Sequence, residues 1–350
     1  MIQSNKSSEY LIWADALRVF AAIAVVVMHV SAIAIKQSDA FDWWIGNIFV
    51  SLSQWGVPIF IMISGALMLD SSKNERISFY LAKRFKRILI PLLFWSCVYF
   101  VFLKLRGHEI TVYFVLKSFF FTGGPYYHLY FLYLILGLYL LTPALRIYLR
   151  HASPTNIQYC IAICFLFAIL YKLFGFLQHE DGTPSFAFTT YLSYIGYYIG
   201  GYYFRNAPIE RKLTRILLLG LLFCFLIILF GSGFLINKFG ISSHGYYLRN
   251  YLSPPEIVMA FCIYILVLSV YAGRDKIAGN RPSLFHQLSP MSFGTYLLHP
   301  IVVAILSKVG VDGLWKTALV GIPLTTILTL IVCFTVVNFM RKVPFLRLTV

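Results

Sequence analysis

An arginine and a histidine, Arg18 and His29, lie eleven residues apart on the first apolar segment and are the strongest candidates for a chemical role. An α-helix rises about 1.5 Å per residue, so eleven residues make about three turns and span roughly 16 Å. The two side chains therefore project from one face of one helix, and every residue from Val19 to Met28 is apolar. Because such polar groups are costly in a membrane unless they face protein or water, the pair predicts a polar passage.

A histidine can take up or release a proton near neutral pH, which makes it the usual general base. His29 therefore fits the activation of a hydroxyl group, and it equally fits a proton relay in a transporter. Asp15 lies three residues before Arg18 and can pair with it on the same helix face. Alternatively, Arg18 only extends its charge to the membrane interface.

Composition places these residues in a membrane. Of the 350 residues, 59% are hydrophobic and only 12% are charged, and the mean hydropathy is +0.78. Too few charges remain to cover the surface of a soluble domain. The apolar runs are uninterrupted rather than alternating, which favours helices over a membrane β-barrel. We therefore predict an all-α, polytopic membrane helical bundle that forms a single domain over residues 1–350.

About ten membrane-spanning helices are predicted, each near the roughly 20 residues needed to cross a bilayer. A shorter apolar segment at 111–122 is predicted to be interfacial or re-entrant and to end at Gly123-Gly124-Pro125. The predicted spans are 11–35, 46–69, 88–105, 127–148, 157–177, 187–204, 214–236, 254–272, 292–309 and 315–340.

The charge distribution predicts an orientation. The chain has 29 Lys and Arg against 13 Asp and Glu, a formal net charge of +16. With a cytoplasmic amino terminus, nineteen of these cations fall on the cytoplasmic side and eight outside, as the positive-inside rule requires. Both termini are therefore expected in the cytoplasm. No basic stripe lies on a soluble element, which argues against a nucleic-acid partner, and membrane lipids are the expected surroundings.

Four cations precede the third predicted span, in what we interpret as a loop. Arginine forks match phosphate oxygens and lysine adds a point charge, so the group could bind a phosphate-bearing ligand. It could instead anchor the topology beside lipid headgroups. The four residues are Lys83, Arg84, Lys86 and Arg87.

Two further histidines lie at or inside predicted spans. His128 follows Tyr127 at the start of the fourth span, where it either positions an acceptor or bonds to the backbone. His299 precedes Pro300, which frees a helix carbonyl that needs a partner, and a packing role is favoured for this histidine. No histidine or cysteine spacing predicts a metal site.

Together these motifs resemble acyltransferase family three, the bacterial integral-membrane acyltransferases. Asp15, Arg18 and His29 are similar to the family's first-helix motif. The chain is most similar to the surface-polysaccharide O-acetyltransferases, such as the one that acts on enterobacterial common antigen. The other similar segments are GVPIF at 56–60 with Ser64-Gly65, KRFKRILIP at 83–91, HLYFL at 128–132 with LLTP at 140–143, and YLLHP at 296–300. The small residues Ser64 and Gly65 also predict a close approach between helices.

The resemblance implies an acetyl-CoA-dependent O-acetyltransferase in the bacterial cytoplasmic (inner) membrane. Acyl-CoA would enter from the cytoplasm, and its phosphates would be held by Arg84, Arg87, Lys83 and Lys86.

The same resemblance implies how the acceptor reacts. His29 would deprotonate a hydroxyl of a surface or lipid-linked glycan, which attacks directly or through an acyl-enzyme. Arg18 and Asp15 would complete the catalytic group, and His128 and Tyr127 would bind the acceptor.

A glycan or small-molecule exporter is the alternative, because ten helices with buried charges suit that class too. Arg18 and His29 would then relay protons or ligand. Transporters commonly contain inverted repeats, but the second half of the chain, for example 187–204 or 214–236, has no matching pair. A membrane scaffold without turnover is the third possibility, and it would tolerate substitution of both residues.

Overall fold

The protein is helical throughout the part that the structure describes. The computed structural model describes residues 11–37, 40–70, 75–177, 187–207, 213–271 and 284–350, which contain no β-strand. Nine helical segments within these ranges are long and apolar enough to cross a membrane, which confirms a polytopic helical membrane protein. The α-helices are α1 Ile12–Gln37, α2 Ala40–Ser51, α3 Gly56–Met68, α4 Ile77–Leu105, α5 Val112–Lys117, α6 Tyr130–His151, α7 Pro154–Leu177, α8 Ile195–Asn206, α9 Leu213–Phe239, α10 Pro254–Tyr271, α11 Leu284–Leu288, α12 Ser292–Lys308 and α13 Ala318–Lys342.

The predicted span at 46–69 is two helices, α2 and α3, joined by a turn at 52–55. At this turn the Ser53 hydroxyl donates to the Phe49 carbonyl over 2.7 Å, and it satisfies a backbone acceptor where the helix stops. The predicted span at 187–204 is also irregular. It is a 3-10 helix, Ala187–Tyr194, followed by the twelve-residue α8.

The cations at 83–87 lie within α4, and the prediction of a loop there was wrong. Lysine and arginine are good helix formers, and their long side chains extend outward from an apolar helix. The helix therefore continues through the charged residues. The Arg84 guanidinium lies over the Tyr80 ring one turn earlier, 5.7 Å from its centroid. The cations are therefore carried by a regular helix rather than by a mobile loop.

Helix α1 is central to the bundle and packs against α2, α3, α10, α12 and α13. Its residues Leu17, Ala21 and Val25 belong to the main apolar core, and Val26 and Val30 join a second cluster with α13. Since helices surround α1, its polar side chains face protein rather than lipid.

Helices α3 and α8 cross backbone against backbone. A Cβ atom on Gly65 would lie 1.8 Å from the Tyr198 carbonyl oxygen, and one on Gly201 would lie 2.0 Å from the Met62 carbonyl oxygen. Only glycine fits at both positions, so the close approach predicted from Ser64-Gly65 is confirmed.

Two arginines cap the carboxyl end of α3. Arg205 donates from Nη1 to the Ala66 carbonyl over 2.7 Å, and Arg146 donates from Nε to the Met68 carbonyl over 2.8 Å. Positive charge is favourable at this end of a helix, where backbone carbonyls lack partners. The two contacts fix the end of α3 that forms one wall of the cavity described next.

Candidate active site

Asp15 organises one end of the bundle. Its carboxylate forms the predicted ion pair with Arg18, with 3.1 Å between Oδ1 and Nη1. It also accepts a hydrogen bond of 2.6 Å from the Ser289 hydroxyl and contacts His286 Nδ1 over 3.1 Å. Sequence reasoning missed Ser289 and His286, because they lie more than 270 residues away in the chain. Arg18 is therefore held in place by neighbours, and its reach toward the interface is restricted.

A cavity of about 730 Å³ opens beside this cluster, between α1, α3, α4, α6 and the start of α12. Asp15 is the one carboxylate side chain among its described lining residues, and Phe60, Ile63 and Ile135 form apolar parts of the wall. We call it the basic cavity, because its lining includes Arg18, Lys83, Arg84, Lys86, Arg87 and Arg347.

The basic cavity brings together all four cations that the sequence analysis assigned to a phosphate-bearing ligand. Arg347 also lines the cavity, and no local pattern pointed to it, because it lies far along the chain after the last long helix. The Nε atom of Arg84 is buried and has no hydrogen-bond partner. A buried guanidinium nitrogen without a partner is costly, so this donor is suited to an anionic ligand.

Three histidines meet farther along α1, and we call His29, His128 and His299 the histidine cluster. The ring centroids of His29 and His299 lie 5.1 Å apart, and those of His128 and His299 lie 5.7 Å apart. The Tyr127 ring lies 4.9 Å from that of His29. The structure thus brings together His29, which was predicted to be the base, and Tyr127 and His128, which were predicted to bind the acceptor. His299, for which a packing role was favoured, lies with them.

Backbone hydrogen bonds fix the protonation pattern of two of these rings. His128 lies with Nε2 3.2 Å from the Leu297 carbonyl, and His299 lies with Nδ1 2.7 Å from the Tyr296 carbonyl. A carbonyl only accepts, so each of these nitrogens is the one that donates its N–H. The other nitrogens, Nδ1 of His128 and Nε2 of His299, are buried and have no partner.

Three aromatic rings separate the basic cavity from the histidine cluster. Phe60 and Phe131 line the cavity, and their centroids lie 6.2 and 5.1 Å from that of Tyr296. Tyr296 in turn lies 5.6 Å from His128 and 6.0 Å from His299. Contacting rings therefore connect the wall of the basic cavity with the histidine cluster.

The arrangement is suited to group transfer between two substrates. One end offers cations for an anionic donor, and the other end offers histidine ring nitrogens without a hydrogen-bond partner, which are suited to take a hydroxyl proton. Arg18 and His29 connect the two ends through a single helix over roughly 16 Å. In the described part of the chain, no group of three His, Cys, Asp or Glu side chains is placed to hold a metal ion.

A family model described as an acyltransferase domain matches residues 11–338. The chain belongs to acyltransferase family 3. Searches of curated proteins and of solved structures found no match. As an acyltransferase of several apolar helices, the protein needs a place for an acyl donor and a group that activates the acceptor. The matched residues include the whole histidine cluster and five of the six cations of the basic cavity.

Proposed function

We propose that this membrane acyltransferase is an O-acetyltransferase that transfers an acetyl group from acetyl-CoA to a hydroxyl of a surface or lipid-linked glycan. His29 is the general base. The observation that carries the proposal is that α1 contributes Arg18 to a cation-lined cavity and His29 to a histidine cluster.

The basic cavity suits acetyl-CoA as the donor. Its cations, Arg84 and Arg87 foremost, match the phosphates of the nucleotide part, and its apolar wall suits the extended pantetheine arm. Its volume of about 730 Å³ lies in the range of about 300–1,000 Å³ found for small-molecule sites. The arm would pass Arg18 and displace the rings of Phe60 and Phe131 to bring the thioester near His29.

The positive-inside rule gives this arrangement a direction. Placed in the bacterial cytoplasmic (inner) membrane, the end that carries the basic cavity faces the cytoplasm, where acetyl-CoA is found. The histidine cluster then lies toward the outer leaflet, where a lipid-linked or growing glycan is available. The polysaccharide O-acetyltransferase branch of the family fits this placement.

The acceptor reaches the base beside Tyr127. This tyrosine is 53% exposed, and His29 itself is partly exposed, so a hydroxyl can approach from that side. His29 takes the hydroxyl proton as the oxygen attacks the thioester carbonyl carbon. The carbon–sulfur bond then breaks, and the sulfur receives a proton as CoA leaves. Tyr127 and His128 hold the acceptor in this geometry.

Purified protein in proteoliposomes tests the proposal. Radiolabelled acetyl-CoA is supplied on one side and an extract of bacterial lipid-linked glycans on the other, with succinyl-CoA and palmitoyl-CoA as alternative donors. We expect release of CoA and alkali-labile label on the glycan, with acetyl-CoA preferred. A folded protein that moves glycan across the membrane without releasing CoA from any donor would be an exporter, and the proposal would be rejected.

Removing two cations of the basic cavity should weaken donor binding more than chemistry. Each charge-assisted hydrogen bond contributes about 1.5–3 kcal/mol, so the loss of two such bonds in Arg84→Ala with Arg87→Ala should raise the KM for acetyl-CoA about 100-fold or more. The kcat at saturating donor should change much less. Initial rates of CoA release at varied acetyl-CoA measure both constants.

Arg106→Ala is the matched control, since Arg106 is exposed at the opposite end of α4. It should leave the KM unchanged. An unchanged KM in the double variant as well would show that these two cations do not hold the donor.

A further inference from the structure

His299 is locked in one orientation by the proline that follows it. Pro300 has no backbone N–H, so the Tyr296 carbonyl four residues earlier loses its usual donor within α12. The His299 ring takes that place, with Nδ1 2.7 Å from this carbonyl. The Thr295 carbonyl lies 3.3 Å from the same nitrogen. His299 is fully buried, and these contacts fix its ring against the helix backbone.

The locked orientation leaves one ring nitrogen available. With the proton on Nδ1, the Nε2 atom of His299 carries a lone pair. This atom is buried and has no hydrogen-bond partner. A buried acceptor without a partner lowers stability, so its presence needs an explanation beyond packing.

His29 is the neighbour that can supply the missing donor. The two ring centroids lie 5.1 Å apart, close to the separation of about 5 Å expected for imidazoles joined by an N–H···N hydrogen bond. The two rings are now stacked, with planes that differ by 25°, and His299 is locked, so His29 is the ring that must rotate to form that bond. The second side-chain torsion of histidine is broad, which makes such a rotation inexpensive.

The ring contacts of His29 and His299 among the described residues include no carboxylate. The rings that contact His29 and His299 belong to Tyr127, His128 and Tyr296, none of which carries an acid group. A histidine base normally needs an acceptor on its second nitrogen that fixes its ring and stabilises the imidazolium. Here the lone pair of His299 is the available acceptor.

We propose that His299 is a positioning residue for His29 and replaces the carboxylate of a conventional catalytic triad. One N–H of His29 donates to Nε2 of His299, and the other His29 nitrogen takes the proton of the acceptor hydroxyl. When the carbon–sulfur bond breaks, that proton passes to the sulfur of the departing CoA. The inference rests on the proposed function, because it assigns His299 a part in that same transfer.

Two amide substitutions separate this role from a structural one. In His299→Asn the side-chain amide can still donate to the Tyr296 carbonyl, but nothing remains at the Nε2 position. In His299→Gln an amide oxygen can reach that position. We expect His299→Asn and His299→Ala to lower kcat about 100-fold with an unchanged KM for acetyl-CoA, and His299→Gln to stay within about tenfold of wild type. A structural role would instead be rescued by Asn, and wild-type kcat in His299→Asn would overturn the inference.

The double variant His29→Ala with His299→Ala tests whether His299 acts through His29. If it does, the double variant should be no slower than His29→Ala alone, because residues that act as a unit are not additive. Independent, multiplied losses would overturn the inference. If CoA release depends on His29 but not on His299, only the inference about His299 is overturned. If the wild-type protein releases no CoA, the proposed function is overturned as well.

Discussion

Replacing His29 with alanine is expected to lower the kcat for acetyl transfer by about 10²–10⁴-fold, the usual contribution of a positioned general base. The affinity for acetyl-CoA should stay near the wild-type value, because His29 lies roughly 16 Å along α1 from Arg18 in the basic cavity. Initial rates of CoA release give kcat, and calorimetric titration with a non-hydrolysable thioether analogue of acetyl-CoA gives the donor affinity.

His151→Ala is the control for this variant, since His151 is exposed at the last position of α6. It should transfer acetyl groups at the wild-type rate. If His29→Ala were folded and kept the wild-type kcat, His29 would not be the base. The protein would remain a family 3 acyltransferase, but the ring nitrogens of His128 and His299 that have no hydrogen-bond partner would become the candidates for the base.

A methyl group on Gly65 is expected to destabilise the whole bundle. The added Cβ atom of Gly65→Ala would lie 1.8 Å from the Tyr198 carbonyl oxygen, and a backbone atom cannot rotate away as a side chain can. Helices α3 and α8 must separate, at a cost of about 3 kcal/mol or more. Thermal unfolding in detergent should show a melting temperature lower by several degrees, together with poor recovery of folded protein.

Gly175→Ala is the matched control, because nothing lies within 4 Å of a Cβ atom at that helical position. Alanine favours the helix over glycine by about 1 kcal/mol, so the melting temperature should be unchanged or slightly higher. A Gly65→Ala protein as stable as wild type would mean that α3 and α8 are not in backbone contact. The shape of the basic cavity would then be in question too, since Ser64 beside Gly65 lines it.

Features that depend on nearby residues could be predicted from the sequence. The ion pair of Asp15 with Arg18 follows from a spacing of three residues on a helix, and the structure confirms it. The apolar runs predicted a helical membrane protein, and small residues at Ser64-Gly65 predicted a close helix contact. Each depends on helical periodicity or local hydropathy, which the chain carries within about 20 residues.

Errors arose where a local pattern has two structural outcomes. The charged run at 83–87 indicated a loop, but lysine and arginine also extend a helix, and packing on Tyr80 favours the helix here. The span predicted at 187–204 is not among the nine described segments that are long and apolar enough to cross a membrane, because its first part is a 3-10 helix and only its second part is α8. The glycines lie in α8, where Gly201 serves the close contact with α3.

Local sequence patterns establish a helical membrane protein, place Arg18 and His29 on one helix, and bring four cations close together at 83–87. Only the tertiary structure showed that Ser289 and His286 hold Asp15, and that His299 lies against His29. The physical reason is that spacing along a helix is set by bonds between near neighbours. Contacts between distant helices depend instead on how side chains of every helix fit together, and no local pattern encodes that fit.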